Sequence, residues 1–359
     1  MADSAPEPAN NGSRTHPTLQ RVADAAGVSR STAARSLGNY GTVDPVLRER
    51  VLRVARELGY RRNALASSVS SGRSTTIGVV ISDIEDPHFA RAVRGIIDAA
   101  GRNGFDVILA NTDEKIDAER SAVKVLLDKR VDGLIVSPSS GMVADHLLDV
   151  LAMPRPLVLF DRALPGLDCD WVGAADYDST YAVVERLAAL GHTHIGLVAA
   201  TSRPASEIER GTTLPISPIA QRILALTDAC RALGLRHRLF TGAMSRERTR
   251  QVVSAVLDEP GRPTALLASY SEIALVIYQV ARVRGLRVPD ELSLVSLDDA
   301  EWMTVSAPAV SAVQRPSHAM GARAVEVLLS RMRGETPSES ESTLPNLVVH
   351  RDSVSTPLS

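Results

Sequence analysis

The chain has 359 residues, 40 lysines and arginines against 42 acids, a net charge of −2 and 44% hydrophobic content. That length leaves room for two or three domains with ample cores, and the balance excludes a largely disordered, fibrous or membrane-embedded protein. The near-neutral total hides an asymmetry: residues 17–75 hold ten arginines and no lysine against Asp24, Asp44, Glu49 and Glu57, about +6, leaving roughly −8 elsewhere.

Residues 1–16, rich in Pro, Asn and Ser, are expected to form a disordered tail, and with no apolar core they make no signal peptide. Residues 18–37 read as two short helices about a glycine turn. Thr18 can cap the first, which places Leu19, Val22, Ala23 and Ala26 on one stripe; Gly27 supplies the positive φ of the turn and Val28 fills the corner. Ser29 can cap the second helix, with Thr32, Ala33 and Leu37 facing inward and Arg30, Ser31 and Arg35 projecting outward. A short helix carrying two arginines on its outer face suits a DNA major groove, where Arg pairs with guanine or holds a phosphate, although a helical hairpin with a solvated basic face has the same pattern. Asp44-Pro45 opens a third helix, striped by Val46, Val51, Leu52, Val54, Ala55 and Leu58 and ending at Gly59-Tyr60. Residues 61–74 form a short potential helix that runs into a Ser/Gly linker.

From Thr76 the pattern alternates. Strands are expected at 76–81, 106–110, 133–136, 157–160 and 170–173, with helices around 88–103, 115–129 and 142–151. A second series follows: helix 178–190, strand 195–198, helix 219–233, strand 238–241, helix 246–258, strand 265–268, helix 271–284 and strand 292–297. Two parallel α/β lobes result, with a small-molecule site expected in the cleft beyond the carboxyl ends of their strands. After a polar loop the chain closes with one strand and a frayed tail. Cys169 and Cys230 lack metal-type spacing and read as buried free thiols. No dinucleotide or phosphate loop, paired-cysteine site or HExxH follows in the right context, so neither enzyme activity nor a cofactor or metal is expected. With no stretch long enough to span a membrane, the expected location is the cytoplasm.

The segments LQRVADAAGVSRSTAARSL, ELGY, NALASSVSSGRS, TIGVVISDIEDPHFA, RVDGLIVSPSS, LVLFDRALPG, ERLAALGHTHIGLV and LSLVSLDDA, in this order, resemble the LacI/GalR family of bacterial transcription regulators across residues 18–353. The resemblance implies an all-α helix-turn-helix headpiece plus hinge, joined to a two-lobed α/β core with parallel sheets like periplasmic binding proteins. Its boundaries would be headpiece 17–62, hinge helix and linker 63–74, core 75–353 and tail 354–359. Within the core, one lobe takes about 75–174 and 316–335, the other about 175–314 and 343–353. A homodimer would bind a pseudopalindromic double-stranded operator as a repressor, under control of a small-molecule effector of carbohydrate type.

Carried over position by position, Arg30, Ser31 and Arg35 would read bases, while Thr18, Ser29 and Thr32 would hold phosphates. Ala34 replaces a usual serine. Asn63 belongs to the hinge, Val69 takes the place of a leucine wedge that enters the minor groove, and Arg62 replaces the usual proline. Phe89, Asp161, Arg222, Tyr270, Asp298 and Trp302 would face the effector, an arginine, carboxylates and aromatic faces suiting a sugar. Alternatives remain open: Phe89 as core, Asp161-Arg162 as a loop ion pair and Asp298 as a cap. Tyr270-Ser271 stands where relatives have Asn-Asp, Asp176-Tyr177 where they often have Asp-Asn, and Ala225-Leu226 where they have a glycine-aromatic pair; residues 200–221 are longer and richer in proline. These departures point to an unusual or bulkier effector, or a weakened response.

Overall fold

A computed structural model describes residues 17–38, 41–60, 74–141, 144–164, 166–209, 217–336 and 342–358. The expected tail 1–16 and the hinge residues Asn63 and Val69 lie outside the described residues. The chain divides into two compact units, Met1–Ser74 and Thr75–Ser359.

In the first unit, α1 (Leu19–Ala26), α2 (Arg30–Gly38) and α3 (Pro45–Glu57) start where their capping residues dictate. Thr18 accepts the Arg21 N–H at 3.3 Å, and Asp44 accepts that of Leu47 at 3.0 Å with Pro45 in the first turn. Gly27 turns the chain at φ 64°. Val22, Ala23, Ala26, Ala33, Val51 and Ala55 form the buried core, ringed by Leu19, Val28, Leu37, Leu58 and Tyr60. Alanines at the crossings bring the helices close, so a tiny core suffices.

The second unit holds two six-stranded sheets. In the first lobe β1 (Thr76–Ile81), β2 (Asp106–Asn111), β3 (Gly133–Val136), β4 (Leu157–Phe160), β5 (Asp170–Ala174) and β11 (Thr343–Leu344) run parallel in the order β11-β5-β4-β3-β1-β2. In the second, β6 (His194–Val198), β7 (Arg236–Phe240), β8 (Ala265–Ala268), β9 (Ser293–Ser296), β10 (Ser311–Gln314) and β12 (Leu347–Val349) take the order β12-β10-β9-β8-β6-β7, β12 being antiparallel to β10. Valine, leucine and isoleucine fill β1, β3, β4, β6 and β8 because helices cover both faces of each sheet. On the first sheet lie α4 (Pro87–Arg102), α5 (Ile116–Asp128) and α6 (Asp145–Leu151). The second lobe carries α7 (Asp176–Ala189), α8 (Ala205–Glu209), α9 (Ser217–Ala232), α10 (Arg246–Asp258), α11 (Ser271–Val283) and α12 (Trp302–Val305). After β10 the chain returns to the first lobe as α13 (Ser317–Met332), which packs along α4. Gly95 and Gly321 make that crossing possible: a Cβ on Gly95 would collide with the His318 carbonyl, and one on Gly321 with the Ala92 carbonyl.

Two differences from the sequence reading concern the end of the chain. Residues 343–344 pair with Gly173 and Ala174, placing them in the first lobe's sheet rather than the second lobe. Beyond 353 the chain is tied down: Ser353 is fully buried and its carbonyl accepts the Leu294 N–H at 2.9 Å, while the Ser355 carbonyl lies 2.9 Å from His192 Nε2. The expected frayed tail overlooked these bonds because Ser353 and Ser355 are polar by type yet satisfy groups on β9 and the turn before β6. Cys169 and Cys230 are free thiols; Cys230 is buried as expected, whereas Cys169 is half-buried.

Candidate functional site

At the first unit's surface, Arg30 and Ser31 are exposed at the start of α2, and Thr18 and Ser29 are exposed beside them. The hydroxyls of Ser31 and Thr32 each lie 2.8 Å from that of Ser29, which also accepts the Thr32 N–H at 3.1 Å. Three hydroxyls thus gather at a helix N-terminus, whose free N–H groups and dipole favour an anion. Arg35 is half-buried, its Nε donating to the Ser31 carbonyl at 3.4 Å. It lies one turn beyond the exposed pair and is held against its own helix.

In the core, both strand orders reverse about a central pair, and the side chains of interest leave the carboxyl ends of the strands there. Asp161 follows β4 in the left-handed conformation, φ 65°, which an aspartate tolerates. Its carboxylate meets Arg315, which follows β10, and lies 3.3 Å from His88 Nε2 at the start of α4. Arg315 also reaches Asp176 at 3.4 Å and Asp298 at 3.8 Å. Arg222 on α9 lies 2.8 Å from Asp176 and 3.4 Å from Asp298 and donates to the Ser269 carbonyl. Two arginines and three aspartates from both lobes therefore form one buried network, and Arg315 is its bridge. Burial alone would raise the Asp161 carboxyl; Arg315, then His88 and Arg162, override it and hold the group well below the usual range. For Arg222 and Arg315 the same contest ends with the guanidinium held more firmly protonated by its carboxylates.

Beside this network opens a narrow cleft lined by Asp86, Pro87, His88 and Arg91 from the first lobe, by Tyr270, Ser271, Glu272, Asp298 and Asp299 from the second, and by the crossing residues Gln314, Arg315 and Ser317. Burial, with Glu272 and Asp86 nearby, raises the Tyr270 phenol to about 12, so it stays a hydrogen-bond donor.

The structure gathers Asp161, Arg222, Tyr270 and Asp298 at this place, Tyr270 and Asp298 on the cleft wall and the other two behind it. Phe89 does not join them: it is a core residue, 4% exposed, among Ala92, Val93 and Phe160, with the Arg162 guanidinium 5.9 Å from its ring. Trp302 packs on the second-lobe core, 6.0 Å from the Tyr278 ring, away from the cleft lining. The resemblance puts Phe89 against the effector, yet its neighbour His88 takes the cleft side of α4, because successive helix positions point to different faces. Tyr177 likewise turns away and donates to Asp228 at 3.2 Å, and Ala225 and Leu226 are fully buried in the core. Arg162 forms a bidentate pair with Glu114 at 2.6 Å. Arg315 and Asp86 were missed. For Arg315 the available signal was a charged residue directly after a strand on a lobe crossing, and for Asp86 it was an aspartate before a proline at a helix start.

Comparison with known proteins places these parts. Residues 18–63 match the model for bacterial regulatory proteins of the lacI family, and residues 184–354 match a periplasmic binding protein-like domain. Catabolite control protein A of Priestia megaterium is 30% identical over 94% of this chain and 98% of its own length. The transcriptional repressor CytR of Escherichia coli K12 is 26% identical over 89% and 91%. The Lac repressor dimer bound to operator and the anti-inducer ONPF superposes with a TM-score of 0.81 at 25% identity, covering 95% of this chain and all of that one. A CelR–cellobiose complex, 24% identical with a TM-score of 0.67 over 94% of this chain and all of that one, shares the fold. Among the described residues no helix is long and apolar enough to cross a membrane.

Proposed function

The chain belongs to the lacI family of bacterial regulatory proteins, DNA-binding transcriptional regulators with an effector-binding core and not enzymes, and from that premise we propose that it is a repressor whose operator affinity is set by a carbohydrate-like molecule held between the core lobes. The observation that carries this reading is the Asp161–Arg315–Asp176 bridge beside a cleft: the two lobes meet through charges that a bound molecule can rearrange. Arg30, Ser31 and Arg35 select base pairs, and Thr18, Ser29 and Thr32 grip phosphates. Asn63 and Val69 contact the operator as well, Val69 as the apolar wedge in the minor groove. Tyr270 and Asp298 touch the effector, while Asp161 and Arg222 act through Arg315. The Lac repressor structure is a dimer on its operator, and a homodimer on a pseudopalindromic site is the matching arrangement here, in the cytoplasm where the operator lies. CelR holds cellobiose on the same fold, which supports a sugar-like ligand.

Effector and DNA act by linkage, each preferring its own arrangement of the lobes. Selection of bound sequences from a random duplex pool by the full chain should return one pseudopalindrome, and removing residues 1–74 should abolish selection while ligand binding remains. A pool that emerges unenriched would overturn the regulator reading.

A further inference from the structure

Arg21, the third residue of α1, is exposed, and among the described residues it takes part in no ion pair. Asp24 is the one acid of α1, and it accepts from Gln20 Nε2 at 2.8 Å instead. Leu19, Val22, Ala23 and Ala26 turn toward the small core, so the step of about 100° per residue puts Arg21 on the side away from it. The charge is also in an unfavourable place for the helix alone. Partial positive charge at a helix start favours a carboxylate in the first turn and opposes a cation. Core helices obey this, with Asp117 and Glu119 opening α5, Asp176 and Asp178 opening α7, and Glu272 opening α11. The first turn of α1 has no acid and carries Arg21.

Resting on the reading of the first unit as a DNA reader, we propose that Arg21 is a further operator contact, a cation that holds the same backbone phosphate as Thr18. The two belong to one turn, since the Thr18 hydroxyl accepts the Arg21 N–H at 3.3 Å. Helical side chains lean toward the N-terminus, which carries the guanidinium back over Thr18. A phosphate there supplies the negative charge that the turn lacks. In a helix-turn-helix the first helix crosses the DNA backbone while the second enters the major groove, so Arg21 meets phosphate oxygens and not base edges. It thereby differs from Arg30 and Arg35 on α2. A residue that breaks a local rule of helix stability, with no partner in the chain, is placed for one outside it.

Anisotropy titrations of the full chain across a range of salt test this. The duplexes are its selected operator, operators changed at single base pairs and a random duplex; the variants are Arg21→Gln, Arg21→Lys and Arg21→Glu. Arg21→Gln should weaken every duplex by the same factor and lower the slope of log affinity against log salt by about one for each headpiece. Arg21→Lys should keep most of that slope, because a phosphate needs a charge where a guanine needs the guanidinium fork. Arg21→Glu should bind weakest yet melt no lower than wild type, since it restores an acid to the first turn beside a threonine cap. Thermal melting of each variant shows that it folds. An unchanged salt slope in Arg21→Gln, or a loss confined to particular base pairs, overturns the inference. Neither result touches the regulator reading, which falls only if the wild-type chain selects no sequence.

Discussion

Arg315 is the residue on which the core's two lobes depend most directly, since among the described residues it alone reaches Asp161 from one side and Asp176 and Asp298 from the other. Removing one partner of a buried network leaves the rest unmatched, so Arg315→Gln should cost about 3–5 kcal/mol of core stability. Urea denaturation followed by tryptophan fluorescence would show it as a lowered midpoint, and an unchanged midpoint would mean the cluster is already solvated. Asp86 should behave oppositely. Its folded-state pKa of about 6 lies above the ordinary 3.8, so the folded chain holds a proton that the unfolded chain has lost. Stability is therefore undiminished below pH 4 and falls as pH rises to 6. Asp86→Asn should stabilise the core by up to about 3 kcal/mol at pH 8, from roughly two pKa units at 1.36 kcal/mol each, and by nothing near pH 4. Melting curves across that range check the sign. In the first unit, Arg35→Ala should reduce discrimination at particular operator positions by about 1–3 kcal/mol if Arg35 leaves the Ser31 carbonyl to hold a guanine. A uniform loss of affinity with a shallower salt slope would instead make it a phosphate clamp.

Among the elements, the α4–α13 crossing is the most demanding. Gly95 and Gly321 each lie against the other helix's backbone, and neither carbonyl can move aside as a side-chain tip would. Gly95→Ala or Gly321→Ala should destabilise the first lobe by about 1–3 kcal/mol or more, read as a shift in the urea midpoint; parity with wild type would show that the helices can part. This crossing also shows what the sequence conceals. The strands read as apolar runs, and helix boundaries fell within a few residues, because alternation and caps are local signals. β10 and α13 went unmarked although Met320, Ala324, Val327 and Leu328 keep helical spacing. The β7 strand begins at Arg236, earlier than its apolar part suggests, because its first residues lie at a solvated edge. Site residues were legible where they sit just after a strand, as Asp161, Tyr270 and Asp298 do. Phe89, Trp302 and Tyr177 were not, since the face of a helix that meets the cleft depends on packing against distant strands.

At the scale of the whole molecule, the chain passes between lobes three times, after β5, after β10 and between β11 and β12. Asp176 and Arg315 stand on the first two crossings, so the charge network sits where lobe movement must pivot. A ligand that changes this network changes the preferred lobe arrangement by no more than its differential affinity for the two arrangements. The factor by which a saturating effector alters operator affinity should equal the factor by which saturating operator alters effector affinity. Anisotropy titrations of labelled operator, paired with calorimetry of the effector on the preformed complex, measure both; unequal factors would mean the two sites do not share a single equilibrium.

The return of α13 to the first lobe also sets an order for synthesis. Met320, Ala324, Val325 and Leu328 fill the same core as Ile77, Val79 and Phe160, so six of that cluster's 20 buried residues are translated after residue 316. Residues 176–314, by contrast, already contain five of the second sheet's six strands. On the ribosome the later lobe can close first, and the earlier one must wait, one face of its sheet covered by α4 without its partner helix, for α13 to emerge.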